Sequence, residues 1–279
     1  MNVLKERFFG SPIPPPDKRE KVIGVRDVDL FLDSGEETAD IIRDVLDRQK
    51  MTLRRAGPVL DFGCGVGRVL RHFRKDDAEL HGTDYNAELV GWCQDNLSFA
   101  EFRVNQFEGP LSYEDASLGV VYAWSVFTHL TDAQQLRWIV ELRRVLRPGG
   151  FLIFTTQGED YLANYWKLYK RHLEGSGKQE YLQEIIEKHG LDFLESHTPL
   201  NEDQTQRFWN GELIVLAGEE AGKNECAAFH PEPYVRSILA QDFAIVELLR
   251  GGAGGGSRQD VWVFRKPARV QSDLQVGIL

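Results

Sequence analysis

The chain reads as an α/β protein: a doubly wound, seven-stranded, mostly parallel sheet whose last strand is antiparallel, with helices on both faces and a helical cap insertion. Three observations predict this. Short apolar runs alternate with amphipathic stretches between residues 34 and 157, the rhythm of strands joined by crossover helices. A glycine-rich turn, Asp61-Phe62-Gly63-Cys64-Gly65-Val66-Gly67, closes the first apolar run, at the strand end where doubly wound sheets bind ligands. After an interruption the rhythm resumes near Pro231 and ends on two apolar runs joined by a short glycine-rich loop, the spacing of an antiparallel return.

Residues 1–33 form an N-terminal arm, expected to be irregular because Pro12 and Pro14 to Pro16 remove amide donors and clash with a preceding helical turn. A helix is expected from Ser34 to Gln49, with Ser34 as cap, Glu37 three residues on, and Ile41, Ile42, Val45 and Leu46 as its apolar face. Pro58–Phe62 is the first strand and Val66–Phe73 the helix after it. The strand Glu79–Thr83, the helix Ala87–Leu97 and the strand Ala100–Val104 follow. Leu118–Trp124 is apolar throughout, as a strand buried on both faces requires. The next helix, Asp132–Leu146, is expected to turn Leu136, Ile139, Val140 and Leu142 inward, and Pro148-Gly149-Gly150 leads into the strand Phe151–Thr155.

Residues 158–225 break the alternation and are read as the cap, with helices near Asp160–Leu173 and Lys178–His189, the latter ended by Gly190. Residues 34–157 and 226–267 make the core. In its second part a helix near Pro231–Ala240 precedes the strands Phe243–Leu249 and Asp260–Phe264. Residues 268–279 are a tail.

The 279 residues are 42% hydrophobic and carry a net charge of −10. The core is therefore ample, whereas an acidic chain lacks the lysine and arginine excess that drives nucleic-acid binding by counterion release. No apolar run is long enough to span a bilayer, and the start of the chain carries Lys5, Glu6 and Arg7 rather than a secretory core. The three cysteines, Cys64, Cys93 and Cys226, are widely spaced and contain no Cys-x-x-Cys. Neither a disulfide framework nor a metal site is expected, and a reducing, cytoplasmic setting fits.

The glycine turn carries the functional argument. Glycine tolerates positive φ and lets a ligand approach the backbone. Asp84 ends the second strand, where an acid can hold both ribose hydroxyls; an aspartate there can equally cap the following helix. The spacing Gly63-x-Gly65-x-Gly67 departs from G-x-G-x-x-G, since Arg68 occupies the last glycine position. No G-x-x-x-x-G-K-[ST] occurs either. The turn suits a nucleoside without a pyrophosphate.

These residues resemble motif I of the class I S-adenosylmethionine-dependent methyltransferases, and Asp84 matches their ribose-binding acid. Ser117–Ala123 is similar to their fourth-strand motif, although Gly119 stands where an acid is usual, and Leu142–Gly150 to the motif after the following helix. The resemblance implies S-adenosyl-L-methionine as cofactor. It implies that Gly63, Gly65, Gly67 and Cys64 approach its methionine and ribose portions, and that Asp61 orders the loop or meets the amino group. It further implies that Asp84, Tyr85 and Asn86 hold and flank the ribose. Asn105, Gln106 and Phe107 would border the adenine, with an amide in place of the usual acid. Trp124, Ser125 and Val126 would face the sulfonium, and Gly35 with the start of its helix would close over the methionine carboxylate.

His129, just after the fourth strand, and His230, just before the last helix, are the candidate general bases. For each the alternative is a structural role. Tyr161, Tyr165, Tyr169, Trp166 and Trp209 in the cap either pack it on the core or line an acceptor pocket. The expected substrate is a small molecule or glycan, methylated on oxygen, with nitrogen and carbon as alternatives. A protein or RNA methyltransferase and a non-catalytic cofactor-binding module are the competing readings.

Overall fold

The computed structural model describes residues 11–165, 199–217, 226–254 and 257–268, together with single positions between 167 and 187. Most of the cap helix expected over 178–189, Gly190, Trp166, Tyr169 and most of the tail lie outside the described residues.

The seven-stranded sheet is present. Its strands are β1 (Val59–Phe62), β2 (Leu80–Asp84), β3 (Glu101–Val104), β4 (Leu118–Ala123), β5 (Leu146–Thr156), and two later strands, Ala244–Leu249 and Asp260–Arg265. The last two are β8 and β9, because a separate hairpin, β6 (Ile214–Ala217) and β7 (Cys226–Phe229), precedes them. The order across the sheet is β3-β2-β1-β4-β5-β9-β8. β1 pairs in parallel with β2 and β4, Asp61 lying opposite both Gly82 and Tyr122, and β9 runs antiparallel between β5 and β8. The order reverses at β1, so the crevice of the fold opens at the carboxyl ends of β1 and β4.

Strict alternation along the strands divides the core in two. Val120 and Tyr122 face one cluster with Val59, Phe31 and Ile42, and Val121 and Ala123 face the other with Leu60, Trp138 and Phe264. Both faces of β4 are fully buried, which is why its sequence shows no polar alternation. Burial of each such side chain contributes roughly 1.5–3 kcal/mol.

Several expectations need correction. The described part of the arm, from residue 11, is not irregular throughout. Pro16–Ile23 is a helix, α1, with its first proline at N1, where the missing amide costs nothing. The next helix, α2, runs Val28–Arg48 and is capped by Asp27, whose carboxylate accepts the Leu30 N–H at 2.7 Å; Ser34 lies inside it and caps nothing. The segment after the glycine turn is not an α-helix but a series of turns ending in a 3₁₀ turn, Leu70–Phe73. Arg71 explains this, since its guanidinium donates to the carbonyls of Gly67 and Val66, at 3.1 and 3.3 Å. After the short helix α3 (Leu53–Ala56) and α4 (Ala87–Asn96) comes α5, Asp132–Val145, which buries Gln135, Trp138, Ile139 and Leu142. Leu136 and Val140, expected inward, are 40% and 65% exposed. Gln135 takes an inward place because its amide serves buried carbonyls, those of Phe127 and Leu130.

Gly119, the departure in the fourth-strand motif, has a packing reason. A Cβ there would collide with the carbonyl of Ala56 at the end of α3. The backbone of β4 and that turn approach too closely for any side chain, an acid included.

Candidate active site

At the carboxyl end of β1 the chain turns through Gly63, Gly65 and Gly67 at φ of 83°, 53° and 67°, a region that favours glycine. The amides of Gly63 and Cys64 donate to the Thr83 carbonyl at 2.8 and 3.0 Å, which ties the turn to the tip of β2. There Asp84 accepts the Gly65 N–H on one carboxylate oxygen and the Asn86 N–H on the other, each at 2.9 Å. Burial raises its pKa against these backbone bonds. The Tyr85 backbone hydrogen-bonds the carboxylate as well, and of its roughly four acceptor sites one is left for a hydroxyl. Asn86 accepts the amides of Glu88 and Leu89 and caps α4, so its side chain acts on the helix.

The two cysteines beside the turn are buried and free. The Cys64 thiol is held well above its ordinary pKa, first by a hydrogen bond with Cys93 and then by burial. It is an inert part of the wall. Asp61 lies beneath the turn. Burial pushes its pKa up to about 7, while Tyr122 and the charge of Arg68 pull the other way. Gly35 is inside α2, and a Cβ there would collide with the Arg68 carbonyl. It lets the helix middle, not its start, close on the turn.

Tyr85, 38% exposed, meets Phe107 edge-on at 5.6 Å, so the tips of β2 and β3 carry an aromatic pair. Asn105 and Gln106 stand beside it. The Asn105 carbonyl oxygen receives the Thr83 hydroxyl at 3.0 Å and its amide donates to the Gln106 carbonyl, which leaves Gln106 as the exposed amide.

Across the crevice, Trp124 is buried and Ser125 adopts a φ of 57°, an unusual conformation for serine. Its amide donates to Thr155 Oγ1 at 2.8 Å, and both hydroxyls donate to Gln259 Oε1. Val126 packs against Gly63, where a Cβ would overlap its Cγ2. One 3₁₀ turn later, His129 donates its N–H to the Val126 carbonyl. Its ring is turned to the hairpin β6–β7. Its Nδ1 lies 2.9 Å from the Cys226 carbonyl of β7. A carbonyl only accepts, so Nδ1 carries the proton and Nε2 presents a lone pair. Burial keeps the ring below the usual histidine pKa, opposed by the bond to Cys226.

His230 is a correction. It is 1% exposed, its Nε2 bonds Gln135 Oε1 at 3.2 Å, and burial drives its pKa down to about 3. A ring with no access to the crevice cannot exchange a proton with a substrate there; it anchors β7 to α5. Tyr161 and Tyr165 pack with Phe229, Leu162 and Phe208 in a third apolar cluster, while Trp209 is 60% exposed.

Three features of the site were not anticipated from the sequence. Val22 of α1 sits over Gly65, where a Cβ would come within 2.8 Å of it. Lys18 and Lys21 of the same helix pair with Glu88 at the start of α4. The Cys226 carbonyl orients His129 from 97 residues away. A backbone carbonyl carries no sequence signal, whereas the basic spacing of α1 does.

Comparison with known proteins agrees with this geometry. Residues 59–150 match the family described as a methyltransferase domain. A probable S-adenosylmethionine-dependent methyltransferase of Mycolicibacterium smegmatis is 34% identical over 110 residues, 39% of this chain and 41% of that protein. The chain carries a class I S-adenosylmethionine-dependent methyltransferase domain. Malonyl-[acyl-carrier protein] O-methyltransferase of Enterobacter lignolyticus is 32% identical over 119 residues, 40% of this chain and 44% of that protein. The chain thus spans less than half the length of these curated relatives. Among solved structures, 1,6-didemethyltoxoflavin-N1-methyltransferase of Burkholderia thailandensis superposes with a TM-score of 0.54 at 15% identity, covering 95% of this chain and 88% of that one. The PH0226 protein of Pyrococcus horikoshii gives 0.51 at 18% identity, covering 82% and 88%. Both show the fold of the methyltransferase domain. Its cofactor is S-adenosylmethionine, and the residues present fit one: a glycine turn at the carboxyl end of β1 and, at the tip of β2, a carboxylate with acceptor capacity left, beside an exposed aromatic tip. No helix among the described residues is long and apolar enough to cross a membrane.

Proposed function

We propose that this protein transfers a methyl group from S-adenosylmethionine to an oxygen of a small-molecule or glycan acceptor, with His129 as general base. The observation that carries this reading is the His129 tautomer: Nδ1 is engaged by the Cys226 carbonyl, so the lone pair is on Nε2. When bound, the cofactor supplies a methyl group on an already activated sulfonium, so the protein's task is placement and proton removal. Asp84 holds the sugar, the glycine turn accepts the sulfur side, and Tyr85 with Phe107 flanks the base. His129 Nε2 would take the acceptor's hydroxyl proton as that oxygen receives the methyl group that the bound cofactor would supply. The O-methyltransferase name of the Enterobacter relative supports oxygen. A net charge of −10 argues against a polyanionic acceptor.

The test is methyl transfer to a panel of hydroxylated acceptors. His129→Asn should lower the rate about 10²–10⁴-fold, the usual contribution of a general base, with cofactor affinity retained. Because burial lowers the His129 pKa from 6.5, the wild-type rate should fall only as pH drops below about 6.5, when Nε2 becomes protonated, and hold level above. The variant should lose that acid limb. A carboxylate acceptor is already ionised and needs no base. An undiminished rate in His129→Asn would therefore favour an acid acceptor, such as the one named for the Enterobacter protein.

A further inference from the structure

The carboxyl end of β5 and the start of β9 carry two glutamines that neither the cofactor nor His129 uses. The strands run antiparallel, and their last ladder pair is Thr156 with Asp260. Gln157 and Gln259 come one step further on, opposite each other, at the same end of the sheet as the glycine turn. Side chains alternate along a strand, so Gln157 shares the face of Thr155. On that face the Thr155 hydroxyl donates to Gln259 Oε1 at 2.7 Å. Both glutamines are sunk in the protein, at 6% and 7% exposure.

Their amides are not used up. The Ser125 N–H fills one lone pair of Thr155 Oγ1, so the Thr155 proton needs an acceptor. Gln259 Oε1 takes it, together with the proton of Ser125 Oγ. The carbonyl end of Gln259 is thereby fixed, and its NH2 donates to no group among the described residues. Gln157 Oε1 is buried with no hydrogen-bond partner among the described residues. A buried acceptor left unpaired is costly and calls for an explanation. The Gln157 backbone is held by the hairpin that orients His129: its carbonyl accepts the His230 N–H at 2.7 Å, and it bridges to Phe229 of β7. Ser125 and Arg258, the residue before Gln259, both have positive φ, 57° and 53°, which side-chain-bearing residues keep only where the surroundings hold them. Arg258 itself is paired with Asp160. The two glutamines thus offer a neutral donor and a neutral acceptor.

We propose that Gln259 and Gln157 bind the methyl acceptor by an amide edge, its carbonyl accepting from Gln259 Nε2 and its N–H donating to Gln157 Oε1. This rests on the small-molecule reading above and sharpens it to acceptors that carry a neutral carboxamide or lactam as well as the methylated hydroxyl.

The experiment titrates the protein loaded with S-adenosylhomocysteine with meta-hydroxybenzamide, methyl meta-hydroxybenzoate and meta-hydroxybenzoate, which share a ring and a hydroxyl. Wild type should bind the amide about 10-fold more tightly than the ester or the carboxylate, neither of which has an N–H for Gln157 Oε1. Gln157→Leu should bring the amide down to the level of the ester. Gln259→Glu should weaken the amide and the ester alike by about 10-fold and leave S-adenosylhomocysteine within about threefold. Equal affinity of wild type for amide and ester, or no binding of the amide, would overturn the proposal even if the variants fail to fold. So would a full amide preference in Gln157→Leu. An equal loss of amide and S-adenosylhomocysteine in Gln259→Glu would do the same, since it is the signature of a structural role. Preferential binding of the amide without methyl transfer to its hydroxyl would instead remove the O-methylation reading and leave the amide site standing.

Discussion

The two halves of the crevice are built differently. The cofactor half is local: Asp61 through Gly67 lie in one stretch, Asp84 is one strand away, and their links are backbone amides and carbonyls fixed by the parallel register of β1 and β2. The proposed acceptor half is assembled at long range. His129 is oriented from Cys226, Ser125 and Thr155 meet at Gln259, and His230 is held by Gln135. The cofactor half can therefore be specified by a short motif and carried between proteins intact. The proposed acceptor half depends on how the hairpin β6–β7 meets the 3₁₀ turn after β4.

That contrast can be broken or sharpened experimentally. The largest stability effect is expected at the seam under both halves. Gly119→Ala should cost about 3 kcal/mol or more, because the new Cβ meets backbone that cannot yield; a denaturant midpoint unchanged from wild type would show that α3 can retreat. Next, Asp84→Ala should weaken S-adenosylhomocysteine by about 1–3 kcal/mol while leaving the His129 pH limb in place. Loss of both together would mean that the halves are coupled. The smallest effect is expected at Asn105, whose side chain is half-buried and receives one hydroxyl from Thr83. Asn105→Ala should cost roughly 0.5–1.5 kcal/mol of stability and change adenosine affinity little, since Gln106 is the amide left exposed. A large drop in calorimetric affinity would return Asn105 to the adenine site.

Much of this was legible in the sequence. The strands of the seven-stranded sheet and its antiparallel close follow from apolar runs and their spacing, since a strand buried on both faces admits little else, whereas the hairpin β6–β7 was not expected, its residues 214–217 having been read as part of a helical cap. Helix starts were less so. Ser34 and Glu37 have the form of a capping box, yet Asp27 caps the helix seven residues earlier, because the apolar contacts of Phe31 and Leu32 with the core extend it backward. Leu136 and Val140 were read as inward from periodicity alone, and lost those places to Gln135, whose amide satisfies buried carbonyls.

The amino-acid order alone determined the sheet, the glycine turn and the acid beside it, because these rest on backbone conformation and on pairing between neighbouring strands. Tertiary structure decided which histidine keeps a usable lone pair and which is sealed in the core. It also decided why Gly119 replaces an acid. Each of these depends on groups brought together from distant positions, often backbone carbonyls, and a carbonyl is the same at every residue.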